Sequence, residues 1–439
     1  MERSTVTRGG DVIDAPRSGG VNSRPKSPVT PASPRGVPKV LQHIRWPQED
    51  NKIPREIFTD PDLFRAEMDA VFTGPVWVLV GHESEIPQPG DFKTLSIGAI
   101  PVIVIRGANG RVGVLVNACA HRGTRLVEGP SGNVLRGGFR CIYHMWTYDT
   151  EGRLIAVSLP DDFPAEFRKE DYGLPRARVE TYKGAIFATF NDEVPPLLDY
   201  LAELTGGLDR VLGDGALRFL GSIKVIFRTN WKLYVENIYD GYHVTALHTG
   251  FQVVRLRSHG GERLVPNYER NGHLWGRSKS TPVNELTPAL RDMSLFDTRT
   301  KPTTDHNMMV VFPSGVVTDY FDTIQLRYVI PLELDRTQME FAFFGRTTDT
   351  EEALWHRVRQ GPEVLGPAGA ITLEDAAVLE RVQLSATARG ENVVLKGTAK
   401  RFPPYRHVDE APIRHFYQAY RRLLGFPLSG GTDGARGTR

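Results

Sequence analysis

The chain has 439 residues, 40% hydrophobic and 24% charged, with Lys+Arg 54 against Asp+Glu 52 and a formal charge of +2. That length suggests roughly two to three domains with ample core, and the near balance of charge removes any electrostatic case for nucleic acid or an anionic membrane. No apolar run approaches the roughly 18 residues of a membrane span, and the first 40 residues lack the apolar centre of a secretory signal. The expectation is a cytoplasmic protein.

Residues 1–44, rich in Pro, Gly, Ser, Thr and Arg (SRPKSPVTPASPRGVPK), read as a disordered tail. Within residues 45–75 the segment DPDLFRAEMDAVF has an acidic start and Leu63, Met68, Val71 and Phe72 at helical spacing. This predicts a helix that packs on the C-terminal domain. Then come PVWVLVG, FKTLSIG, IPVIVIRG and RVGVLVNA, β-rich runs divided by PQPG and GANG turns. They predict a small antiparallel sandwich over 76–183, with a hairpin tip at PSGNVLRGG. A mixed α+β unit follows over 184–428, with helices predicted at Asn230–His248, Glu351–Gln360, Leu373–Ala386 and Ile413–Leu424. Its strands are expected in MMVVFPSGVVTDYF, TIQLRYVIPLE and QMEFAFFGRT. Residues 429–439 read as a second tail.

Both cysteines fall in one pattern, Cys119-Ala120-His121 and Cys141-Ile142-Tyr143-His144, so each of two loops offers one thiolate and one imidazole. A disulfide is unnecessary in a chain this long. Structural zinc also accepts two thiolates and two imidazoles, but its sites usually pair like with like on each arm. The mixed arms favour a [2Fe–2S] centre with sulfur on one iron and imidazole on the other, a one-electron relay. Trp146 and Tyr148 are expected to pack around it.

In NWKLYVENIYDGYHVTALHTG, Glu236, Asp240 and His243 follow i, i+4, i+7 spacing with Asn237 beside them, a polar stripe on an otherwise apolar helix. Buried carboxylates without partners cost several kcal/mol, so such a stripe asks for a cation. His243 and His248 lie about 140° apart on an ideal helix. If both bind one metal, a bulge, a loosened turn or the end of the helix is required between them, so a distortion is predicted between Val244 and Leu247. His82, His259, His306, His356 and His415 have no motif partner and read as structural or exposed. Arg257 and Arg327 could each bind an acidic substrate, although arginines in strands usually make surface contacts.

The loops NACAHRGTRL and FRCIYHMWTYDTEGRL resemble the Rieske iron–sulfur domain, and ENIYDGYHVTALH resembles the iron-binding helix of Rieske non-haem iron ring-hydroxylating oxygenases, large subunit. The resemblance spans residues 45–428. Respiratory Rieske proteins carry a further disulfide-forming cysteine in each loop, where this chain has Thr124 and Tyr143, so the match is to the oxygenase and ferredoxin branch. Two departures stand out: 19 residues separate His121 from Cys141, and Met145 replaces the usual glycine.

The resemblance implies an α+β fold, an all-β Rieske domain followed by a catalytic domain whose antiparallel sheet and helices carry mononuclear iron. Cys119, His121, Cys141 and His144 would hold the [2Fe–2S] cluster. His243, His248 and Asp375 would hold Fe(II), three ligands that leave positions open for O₂. Glu374 is the alternative third ligand, and Thr372-x-x-Asp375 also reads as a helix-capping box. Asp240 would bridge His243 to a neighbouring subunit's cluster histidine, with Asn237 supporting. The implied activity is O₂-dependent hydroxylation of an aromatic substrate, in sequence character nearest to aromatic-carboxylate oxygenases. Electrons would come from NAD(P)H through a reductase, with or without a ferredoxin. The implied assembly is a head-to-tail trimer, to which a small β subunit can be added. A monooxygenase or O-demethylase, a Rieske electron carrier with a degenerate second site, and a zinc-stabilised protein without redox activity are the alternatives.

Overall fold

In the computed structural model, which describes residues 36–249, 257–265, 271–281, 293–301 and 305–428, order begins earlier than composition suggests. Leu41 and Ile44, assigned above to a disordered tail, are buried in the main core, because apolar side chains here have a surface to cover. Residues 1–35 and 429–439, the remainder of the expected tails, lie outside the described residues. The first helix runs Pro61–Glu67 and starts at Asp60, whose carboxylate accepts from the Leu63 amide at 2.7 Å. A π turn over Met68–Phe72 extends it. Glu67 forms a fully buried ion pair with Lys232, 2.6 Å apart, and accepts from Trp231 Nε1 at 2.8 Å. This segment is thereby fixed to the C-terminal unit.

The β unit is a four-stranded sheet in the order Val112–Val116, Ile100–Arg106, Asp91–Ile97, Ser131–Asn133, with a three-stranded sheet of Phe139–Arg140, Thr147–Tyr148 and Leu154–Ala156. It has its own small core, which includes Cys119, Cys141, Trp146 and Tyr148. The stretch expected as a hairpin tip is instead an edge strand, Ser131–Asn133, paired with Asp91–Lys93. Phe92 explains this: a Cβ on Gly132 would sit 2.9 Å from its ring, so glycine lets the strand close over it. The boundary expected at 183 falls in the turn of a hairpin, Arg178–Tyr182 with Ala185–Thr189, whose second strand pairs with Val78–His82. Pairing thus carries the β unit to Thr189.

The C-terminal unit is an eight-stranded antiparallel sheet, ordered Leu217–Phe227, Arg336–Arg346, Thr323–Glu333, Gly315–Tyr320, Asp305–Val311, Leu274–Thr281, Arg257–Leu264, Tyr405–Arg406. Helices Trp231–Tyr239, Glu351–Leu365, Thr372–Ser385 and Pro412–Leu424 pack around it. Lys93 of the β unit reaches Glu85 at 2.6 Å and Glu340 of this sheet at 3.5 Å, all nearly inaccessible to water. Buried pairs of this kind add little net stability. They do fix the angle between the two units. No described helix is long and apolar enough to cross a membrane.

Candidate metal centres

The two cysteine loops are one turn made twice. Cys119 N donates to Thr124 O at 2.9 Å and Gly123 N to Cys119 O at 2.8 Å; Cys141 N donates to Trp146 O at 2.8 Å and Met145 N to Cys141 O at 3.0 Å. Gly123 and Met145 are therefore equivalent, and both have left-handed backbone, φ 70° and 59°. This is why glycine suits position 145: a side chain there costs about 1–2 kcal/mol.

Cys119 and Cys141 are buried free thiols. The rings of His121 and His144 face each other with centroids 4.6 Å apart, and Trp146 stacks on His121 at 4.9 Å. The Tyr148 hydroxyl lies 3.3 Å from Cys119 Sγ and accepts from Ala120 N at 3.0 Å. Burial raises the Cys141 thiol, but the amides of Tyr143 and His144, with Cys119 and Thr124, outweigh it and hold the thiol below its ordinary value. Burial, then the Cys119 sulfur, pushes the Tyr148 hydroxyl up, so it stays protonated beside that sulfur.

His144 Nδ1 is buried without a partner among the described residues. Tetrahedral zinc would need its four donors about 3.5 Å apart. Among the described residues only His243, His248 and Asp375 gather as a single-ion set of three or more. A thiol pair beside a separate imidazole pair fits a two-iron cluster better than one zinc.

The second site is made by two breaks in the expected helix, one ahead of His243 and one between the two histidines. The helix Trp231–Tyr239 ends at Asp240, which is extended (φ −79°, ψ 119°), and a second helix, Tyr242–Leu247, begins after Gly241. Glu236, Asp240 and His243 therefore do not share one continuous helical face. The chain does leave the helix between the two histidines, at Leu247, within the predicted Val244–Leu247 stretch, and the break at Asp240–Gly241 is an additional one. The physical reason is a close crossing: a Cβ on Gly241 would fall 1.6 Å from the His407 carbonyl oxygen. Arg263, fully buried, donates to the carbonyls left at the helix end, Ile238 at 2.6 Å and Tyr239 at 3.1 Å, and to His407 O at 3.0 Å. The second helix then stops at Leu247, and His248, just beyond it, brings its ring within 5.2 Å of His243.

Asp375 closes this site from the helix Thr372–Ser385. Its Oδ1 lies 3.5 Å from His243 Nε2 and 3.6 Å from His248 Nε2, and the three ligand atoms lie within 4.8 Å of one another. That oxygen is buried and has no hydrogen-bond partner among the described residues. Burial raises the Asp375 carboxyl, opposed by both imidazoles and by a hydrogen bond from Asn237. A cation between them relieves both penalties. The capping-box reading of Asp375 does not hold, because the helix starts after Ile371 with no side-chain cap.

The outer nitrogens of both histidines are tied down. Asp240 accepts from His243 Nδ1 at 3.0 Å and from Tyr242 N at 2.6 Å. Burial raises the Asp240 carboxyl, but the hydrogen bond and charge of His243, with the Tyr242 amide and Arg263, bring it below its ordinary value. Glu374, expected as the alternative ligand, instead accepts from His248 Nδ1 and Thr249 N, each at 3.1 Å. Each carboxylate fixes the tautomer that presents Nε2 inward. Glu236 turns away to the Tyr417 hydroxyl, and burial pushes its carboxyl up to about 7.

Beneath the triad is a cavity whose sheet wall presents Ser278, His306, Met308 and Arg327, faced by apolar Ile238 and Leu365. His306 is thus a cavity residue rather than only a structural one. His82, His356 and His415 are buried and hydrogen-bonded. The side chains of Arg257 and His259 lie outside the described residues. Arg263 and His407 carry no motif and escaped the sequence reading. Arg263 comes from a strand paired late in the sheet and His407 from the turn directly after its partner strand, and only that pairing reveals them.

Comparison with known proteins gives the same architecture. The Rieske [2Fe-2S] domain family matches residues 76–172, and the ring hydroxylating alpha subunit (catalytic domain) family matches 214–425. The anthranilate 1,2-dioxygenase large subunit of Burkholderia cepacia is 30% identical over 87% of this chain and 96% of its own length. The terephthalate 1,2-dioxygenase terminal oxygenase component subunit alpha 2 of Comamonas sp is 30% identical over 87% and 98%, and the salicylate 5-hydroxylase large oxygenase component of Ralstonia sp is 29% identical over 88% and 98%. Among solved structures, a naphthalene 1,2-dioxygenase superposes with TM-score 0.73 at 24% identity, covering 85% of this chain and 92% of that one. A quaternary ammonium Rieske monooxygenase gives 0.71 at 19%, covering 87% and 99%. The chain belongs to the large (alpha) subunits of Rieske-type ring-hydroxylating dioxygenases, oxidoreductases whose cofactors are a [2Fe–2S] cluster and mononuclear non-haem iron. It is a terminal oxygenase component.

Proposed function

We propose that this subunit hydroxylates an aromatic carboxylate in the cytoplasm with electrons from NAD(P)H delivered by a reductase, directly or through a ferredoxin. One observation carries the substrate class. Arg327 is a buried guanidinium in the cavity wall; its Nε donates to Gln325 Oε1 at 2.6 Å and its Nη1 to the Tyr234 hydroxyl at 2.9 Å, but it has no carboxylate partner among the described residues. Asp375 feels its charge from beyond ion-pair distance and shares its own with the two imidazoles, so the buried guanidinium is left without a partner of its own, which is costly. An anionic substrate supplies the missing charge, and the aromatic acids named for the relatives above are of that kind.

In this reading Cys119, Cys141, His121 and His144 hold the cluster, and His243, His248 and Asp375 hold the iron. Bound together, the two metal groups supply one-electron delivery and the reductive activation of O₂. Asp240 and Glu374 orient the two imidazoles, and Asn237 holds Asp375. The apolar cavity wall excludes water from the ring to be attacked.

Assembly follows from two unlike apolar surfaces on one chain. Ile142, Tyr143, Met145 and Leu159 are exposed beside the cluster loops, and Tyr242, Leu384, Val393 and Leu395 are exposed on the C-terminal unit, Val393 lining the open groove that Asp240 borders. Contact between unlike patches on identical chains is heterologous, and where the rotation closes it makes a ring, as in the trimer expected above, with or without a small β subunit. Product analysis with a matched reductase across benzoate, benzamide and toluene tests the reading. Turnover of the acid alone is expected, lost in Arg327→Met. Preference for the neutral compounds would overturn it.

A further inference from the structure

The sheet wall carries a second polar feature at the end of the cavity away from Arg327. His407 N donates to Gly261 O at 3.0 Å, Gly261 is the register partner of Ser278, and Ser278 is the register partner of His306. His306 in turn packs on Tyr320, ring centroids 4.7 Å apart. His407, Ser278, His306 and Tyr320 therefore form one polar row across adjacent strands, and all four line the cavity. Gly261 leaves the gap in that row, since a Cβ there would fall 2.3 Å from Arg277 O.

His306 is satisfied within the chain, with Nε2 3.2 Å from Thr318 Oγ1 and Nδ1 3.5 Å from Ser278 Oγ. His407 is not. It is 9% exposed, and its Nδ1 has no hydrogen-bond partner among the described residues. A buried polar atom left unpaired is destabilising, and such atoms in a binding cavity are commonly completed by a ligand.

The row is offset along the strands from Arg327, which still acts electrostatically on its member His306. Arg327 is opposite Val316, which is opposite Val310, and Val310 stands four residues, roughly 13 Å of extended strand, from His306. Arg327 acts on Asp375, whereas His407 stands beside Arg263 and acts with His243. The two anchors thus address different iron ligands. Their chemistry also differs. His407 is buried beside the Arg263 guanidinium, a setting that favours the uncharged imidazole, which offers one donor and one acceptor.

We infer that His407 is a specificity-determining residue, recognising a neutral hydroxyl or amino substituent on the ring edge remote from the carboxylate. This rests on the aromatic-acid reading above. The substrate would span the iron site, its anion at Arg327 and its neutral polar group at His407.

The test is anaerobic calorimetric binding of benzoate, 2-hydroxybenzoate and 4-hydroxybenzoate to the assembled, metal-loaded enzyme, as wild type, His407→Phe and His407→Asn, with the cluster absorbance checking each fold. Wild type is expected to bind 4-hydroxybenzoate about tenfold tighter than benzoate, the worth of one hydrogen bond, with no such gain for the 2-hydroxy isomer. That ratio should fall to about one in His407→Phe and be partly kept in His407→Asn. Acids that bind with a wild-type ratio near one, or a ratio unmoved by His407→Phe, would overturn the inference while leaving the aromatic-acid reading intact. If no acid binds wild type, both fail.

Discussion

The cluster loops and the iron site solve the problem of holding metal in opposite ways. The loops take four donors from one short stretch, Cys119 to His144, repeat a single turn, and leave His121, Tyr143 and Met145 exposed. The iron site draws on two helices and a strand crossing far apart in sequence, and it buries His248 and Asp375. Rigidity in the first comes from backbone hydrogen bonds within each turn. In the second it comes from carboxylates and a guanidinium outside the ligand set, namely Asp240, Glu374 and Arg263. A local, exposed centre suits an electron carrier that must meet another body, and a remote-built, buried centre suits chemistry that must exclude water.

If this contrast is right, the largest effect should come from the carboxylate that faces both worlds. Asp240→Asn keeps the shape but removes the charge that orients His243 and borders the open groove. Turnover is expected to fall by at least roughly a hundredfold, with the cluster still reducible and its electron paramagnetic resonance signal retained. Single-turnover reoxidation of the reduced cluster checks this, and an unchanged rate would break the comparison. Glu374→Gln should be milder, about 10–100-fold in iron affinity by chelator competition. Its position beside Thr249 N survives the change, so the cluster signal should not move at all.

The same contrast explains what the sequence made legible. The cluster loops were readable because all four donors, with Trp146 that stacks on His121 and Tyr148 whose hydroxyl meets Cys119, are close in sequence, so the motif is nearly the site. His243, His248 and Asp375 were readable through resemblance. Their supports were not: the helix break at Asp240–Gly241 depends on the His407 carbonyl passing within a methyl group's reach, and no local pattern encodes a turn arriving from about 160 residues away. Strands Leu217–Phe227 and Leu274–Thr281 were missed for a related reason. Half-buried, charge-bearing runs such as RFLGSIKVIF and LWGRSKST alternate weakly, and their strand character comes from neighbours in the sheet. Glu374 was named for the wrong role, since sequence distinguishes neither which of two adjacent carboxylates points inward nor which holds the ring behind.

A smaller effect tests the cluster side alone. Tyr148→Phe removes the hydroxyl beside Cys119 Sγ and leaves the ring buried. Losing a hydrogen bond to a cluster sulfur destabilises the reduced state. At about 1 kcal/mol for the bond, the reduction potential should fall by roughly 40 mV for one electron. Protein-film voltammetry would show it. Iron content at His243 should be unaffected, because the two centres share no ligand or support within one chain; a coupled loss would mean the two plans are less separate than their geometry suggests.

The smallest effect concerns Met145, where the two loops differ from each other. Gly123 and Met145 make the same backbone hydrogen bond at the same left-handed angle, yet only one has a side chain to strain. Met145→Gly should relieve about 1 kcal/mol in the folded loop, partly offset by the greater freedom of glycine in the unfolded chain, leaving a net gain of a few tenths to one kcal/mol. Thermal loss of cluster absorbance should shift upward by no more than about 2–4 °C for a chain of this size. Retaining a strained, half-exposed methionine then requires another benefit, and the apolar surface it shares with Ile142, Tyr143 and Leu159 supplies one. The same variant should therefore dissociate at higher protein concentration in sedimentation velocity, gaining stability within the chain and losing it between chains. A variant that gains both would show that Met145 has no part in assembly, and the exposed face of the cluster loops would then need another partner.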